Sequence, residues 1–212
     1  VQTCALLILS KKSESESGTI QISTGIGKVT GMIKISSGAS KGRGGQITLF
    51  SGKAKMSGSS ILVNAGDSIV GTGGNVNLKS GSGFMHGGSI FVGTKSAKLG
   101  GRSGHIYVQT GTSTQQSTGD IDVSTGDSAS SEAGGILLKT GRSQGGGGGI
   151  VLKAGGSLLS TGGSVSMTSG SSRSGASGLV SIKSNSGIDT GGINLRRGKA
   201  IEKTSGKISL SV

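Results

Sequence analysis

Two histidines, His86 and His105, and three aspartates, Asp120, Asp122 and Asp127, are the residues whose types suit acid–base or metal chemistry. Neither histidine has a neighbouring cysteine or a recurring acidic partner, which metal ligation would ask for. The aspartates gather around one apolar triplet. A weak calcium site is one reading of them; bridging to nearby lysines is the other. Calcium-binding nonapeptide arrays carry an aspartate in every repeat, and this chain does not. Its glycine-rich stretches lack the Lys-Ser/Thr ending and following helix of a phosphate loop. Without proline or a three-residue glycine period, it is not a collagen. The lone Cys4 cannot form an internal disulfide and reads as a small apolar residue or an intermolecular bridge. No catalytic, cofactor-binding or metal-ligating set is expected, and the chain is not read as an enzyme.

What remains is the pattern that would have to position any site. Glycine supplies 45 of 212 residues, while aromatics make up 2% and tryptophan and proline are absent. A flexible Gly/Ser linker would have this composition. It would not have the regular aliphatics. Apolar-x-apolar triplets begin at Leu6, Ile20, Ile33, Ile47, Ile61, Val76, Ile90, Ile106, Ile121, Ile136, Ile150, Val165, Val180, Ile193 and Ile208, at intervals of 13 to 16 residues. Alternation over so short a run predicts a strand, and the glycines and β-branched residues disfavour a helix.

Two glycine columns frame each triplet. The residue two places before it is glycine in thirteen of fourteen repeats, Ser59 being the exception. Three places after it come Gly25, Gly38, Gly52, Gly66, Gly81, Gly111, Gly126, Gly141, Gly155, Gly170 and Gly198, with Lys11, Lys95 and Asn185 in the remaining repeats. Asparagine tolerates positive φ best among the other residues, so this column predicts left-handed corners. Two residues past the corner stands Ala, Ser or Gly in all fourteen repeats. By period-2 alternation it points inward and lets two sheets approach.

These columns predict an all-β fold: a flattened parallel β-solenoid of about fifteen rungs, each 13–16 residues long, running through 1–212 as one array. A rung with two aliphatics buries too little to offset the ordering of its own backbone, so stability is expected from stacking. Neither end carries a cap, and Val1 is not an initiator methionine. The expectation is a processed or excised piece of a longer array or filament. The run Ala5 to Leu9 is too short to span a bilayer and reads as the first rung.

Outward columns carry the functional reading. The position after each triplet holds Lys79, Lys139, Lys153, Lys183 and Arg196 and no acid, within a chain of 22 Lys and Arg against 9 Asp and Glu and net charge +13. Such a ladder suits an anionic polysaccharide or mineral surface. Nucleic acid is not expected, because stacking aromatics are nearly absent. The middle triplet position holds Leu62, Phe91, Tyr107, Leu137 and Val151, which predict lateral packing against a second copy. An ice-binding or carbohydrate-binding solenoid is the alternative. The outward triplet column, however, has only Thr48 beside Gln21, Lys34, Asn77 and Asp122. A glycan-cleaving β-helix would have longer coils and clustered carboxylates.

Units such as Gly119-Asp-Ile-Asp-Val-Ser-Thr-Gly126 and Gly163-Ser-Val-Ser-Met-Thr-Ser-Gly170 resemble the glycine-, serine- and threonine-rich repeats of large surface proteins of diatoms and related algae. The resemblance covers nearly the whole chain. It implies an extracellular or cell-surface structural protein, with no active residues to carry over.

Overall fold

The computed structural model describes residues 8–10, 16–98, 100–200 and 206–210. Among them there is neither a helix nor a β-strand. The predicted β-solenoid is therefore corrected. Close approaches are with few exceptions between residues fewer than 12 positions apart, so one repeat does not lie against the next. The axial hydrogen-bond ladders, the rigid rod and the flattened two-sheet cross-section fall with the stacking they required.

Burial shows the same thing quantitatively. A folded monomer of 20.6 kDa exposes about 8,900 Å² and its unfolded chain about 30,000 Å². This chain exposes 23,094 Å². No described residue is buried. The triplets keep a weak pleat: their first residues are 46–56% exposed from Ile20 to Ile208, whereas Leu62, Phe91, Tyr107, Leu137 and Val151 in the middle are 81–93% exposed. Half-exposed aliphatics recover only part of the transfer free energy of burial, so the triplets contribute little stabilisation in this arrangement.

The chain divides into two units, Val1–Ile106 and Tyr107–Val212. Both are built from the same local device. The backbone bends once per repeat, at 27–29, 41–43, 55–57, 69–71 and 84–85 in the first unit. In the second it bends at 114–116, 129–131, 144–146, 158–160, 173–175 and 187–189. The period read from the triplets is thus present as a series of bends.

The bends do not fall at the expected corners. None of the eleven corner glycines has a left-handed φ; among the described glycines only Gly100 does, at +78°. That residue lies in a turn where the Gly101 N–H reaches the Lys98 carbonyl at 3.4 Å. Its φ is the value a type II turn requires at its third residue. A Cβ built on any of the eleven corner glycines, Gly25 through Gly198, would meet nothing within 4 Å.

The small column two residues later is where the chain turns. Every described serine in it (Ser40, Ser68, Ser113, Ser128, Ser143, Ser157 and Ser172) accepts at Oγ a hydrogen bond from a backbone N–H two or three residues on, at 2.8–3.1 Å. These are serine-capped turns, in which the hydroxyl replaces a backbone acceptor. Where the column is glycine the turn is tighter. A Cβ on Gly27 would sit 3.2 Å from the Val29 carbonyl oxygen, and one on Gly83 would collide with that of His86. The column is small because of the turn, not because two sheets meet there.

Apart from the bend at 187–189, where a Cβ on Gly191 would meet nothing within 4 Å, each of these bends closes into a loop at a neck. The residue before the corner faces the glycine that opens the next unit: Thr24 and Gly31, Ser37 and Gly45, Ala65 and Gly74, Ala154 and Gly163. In four necks a backbone bond closes the loop, Gly74, Gly88, Gly163 and Gly178 donating to the carbonyls of Gly66, Gly81, Gly155 and Gly170 at 2.8–2.9 Å. In three others the neck hydroxyl donates across: Ser51 to the Ser59 carbonyl at 2.9 Å, Thr94 to Gly104 at 3.3 Å and Thr125 to Gly134 at 3.1 Å. The least exposed described residues are neck residues for the most part, Ser10, Ser51, Ala65, Thr110, Thr140, Ala154 and Ser169, joined by Ala200. Shelter in this chain sits at the necks.

Candidate anion-binding surface

Lys79, Lys139, Lys153, Lys183 and Arg196 are all exposed. Each follows a triplet by one residue and stands one residue before a neck. Neck-closing bonds fix the backbone next to Lys79 and Lys153, and the side chains of all five cations stay in solvent. Lys79 precedes Ser80, whose neck is held by the Gly88–Gly81 bond at 2.8 Å, and Lys153 precedes Ala154, held by Gly163–Gly155 at 2.9 Å. Solvent-exposed charges of this kind act through long-range attraction, screened over about 8–10 Å at ordinary salt.

Arg196 is held further. Its Nε donates to Asn194 Oδ1 at 3.0 Å, so the guanidinium folds back along its own triplet. Beside it opens a concavity of about 680 Å³ in the second unit, lined by Leu195, Arg196, Arg197, Gly206, Lys207 and Ile208. The post-triplet column led to Arg196 alone. Arg197 and Lys207 stand at other register positions, so a search along one column passes over them. The signal that reaches them is local charge: residues 193–208 carry five Lys and Arg against one Glu.

The residues considered for metal chemistry are not assembled. Among the described residues no three His, Cys, Asp or Glu side chains come together to hold a metal ion. His86 belongs to the tight loop closed by Gly88 and Gly81, where its carbonyl faces Gly83. Cys4, Lys11, Ser13 and the first triplet residues Leu6 and Leu7 lie outside the described residues. Leu62, Phe91, Leu137 and Val151 stand exposed at one register position, with Tyr107 at the same position. No helix among the described residues is long and apolar enough to cross a membrane. Comparison with known protein families, curated proteins and solved structures finds no match.

Proposed function

We propose that the chain is an extracellular structural and adhesive repeat protein that holds anionic glycan or mineral surfaces through many weak cationic contacts. The observation carrying this reading is the basic column at a repeating register, exposed throughout and next to the necks, within a chain of charge +13. Multivalency supplies the strength. Single exposed ion pairs contribute about 0.2–1 kcal/mol, but linked contacts raise the effective concentration of the next one. The exposed middle column adds a capacity for self-association, with Leu62, Phe91, Leu137 and Val151 as its apolar contacts.

Retention of the full chain on immobilised sulfated or carboxylated polysaccharide, measured from about 0.05 to 0.5 M salt, tests the reading. Strong retention that is lost steeply across this range is expected, because exposed charges are screened. Equal retention on an uncharged polysaccharide, or retention indifferent to salt, would overturn it.

A further inference from the structure

The repeat beginning at Ile193 departs from the pattern of the other loops. In the necks from Ser10 to Ser169 the residue before the corner is Ser, Thr or Ala, and where the opposite residue is glycine a Cβ on it would lie 3.2–3.9 Å from that side chain. At this repeat the neck position is Arg197, and a Cβ on Gly206, the glycine that opens the next unit, would meet nothing within 4 Å. The neck of Ser184 and Gly191 is open too, a Cβ on Gly191 meeting nothing within 4 Å. At Arg197, however, a long charged side chain stands where the other necks carry Ser, Thr or Ala. The space left there is the concavity of about 680 Å³.

Its lining has a definite chemistry. Arg196, Arg197 and Lys207 bring three cations to one opening, while Leu195 and Ile208 supply apolar surface. Arg196 reaches it with its Nε already engaged by Asn194 at 3.0 Å, which leaves the terminal amino groups of its guanidinium for a ligand. Guanidinium pairs favour acceptors with two oxygens in one plane, and lysine adds a point charge. The apolar lining matches the ring face of a sugar better than a bare inorganic ion.

We infer that the concavity formed by Arg196, Arg197 and Lys207 at the open neck is a discrete oxyanion subsite, taking a sulfate or carboxylate group of an anionic polysaccharide. The inference rests on the adhesive reading above and makes it specific: the column provides weak, distributed contacts, and this site a localised one. Arg197 supplies charge there from the neck position itself.

Binding of end-labelled sulfated and carboxylated oligosaccharides to the full chain tests it, with uncharged dextran as control. The triple variant Arg196→Gln/Arg197→Gln/Lys207→Gln should weaken binding about eightfold, about twofold per exposed charge removed. The variant Lys28→Gln/Lys41→Gln/Lys55→Gln removes equal charge from exposed bend residues outside the column and the concavity and should weaken it less than twofold. Arg197→Ser removes one of the three charges and should weaken binding about twofold, whereas Arg197→Lys should retain most of the affinity. Equal losses in the two triple variants would overturn the subsite while leaving distributed adhesion intact. Failure of the unaltered chain to bind either charged ligand would overturn both. The stronger of the two charged arms identifies the oxyanion.

Discussion

At the scale of single residues, the serine two places past each corner has a defined task. Its hydroxyl accepts from a backbone N–H two or three residues on, and the bend starts at the next residue. A net bond of this kind contributes about 0.5–1.5 kcal/mol. Ser128→Ala should therefore speed exchange of the Ser131 amide, which donates to Ser128 Oγ at 3.1 Å, by roughly fivefold at the middle of that range. Amide exchange followed by NMR reads this directly, and an unchanged Ser131 rate would show the cap to be idle. The small size of this column was plain from the sequence. Its reason was not, because a side chain that must be small to fit a turn and one that must be small between sheets have the same composition.

At the scale of the element, the loop with its neck is the unit of structure. At Gly45, Gly74, Gly88, Gly104, Gly163 and Gly178 the opening glycine answers to close approach, at 3.2–3.4 Å, rather than to an unusual φ. A methyl on Gly74 would sit 3.3 Å from both the Ala65 methyl and the Gly66 nitrogen, where the neck bond of 2.9 Å forms. Gly74→Ala should open this neck, abolishing the slow exchange of the residue 74 amide. Gly38→Ala, placed where an added Cβ meets nothing within 4 Å, should leave its own loop unchanged. Equal effects would remove the steric account. Both glycines belong to regular columns, thirteen and eleven glycines of fourteen, so sequence pattern alone could not distinguish the position that needs glycine for space from the one that does not. Nothing in the structure explains the glycines at the corner column.

At the scale of the whole molecule, the missing core sets the thermodynamics. Cooperative unfolding needs surface that is buried together and exposed together, and no described residue is buried. Heating should produce a gradual loss of loop structure. A folded domain instead absorbs about 0.7 kcal/mol per residue in one transition. Scanning calorimetry showing a single sharp peak of that size would contradict the unstacked structure. The exposed charge is unaffected by this, which is why an adhesive role survives the loss of the solenoid when a rigid rod does not.

Read alone, the sequence determined the period, the alternation within each triplet, the small column and the basic register. Each depends on residues close along the chain and is set by local sterics, alternation and hydrogen bonds within about ten positions. It did not determine whether successive repeats stack. The same triplet-and-glycine pattern serves a solenoid and a series of separate loops, which differ in the partner of each neck carbonyl. In the tertiary structure that partner lies seven or eight residues away at Gly66, Gly81, Gly155 and Gly170, not one repeat away. The structure likewise decided that Arg197 and Lys207 share an opening with Arg196, since the three stand at different register positions.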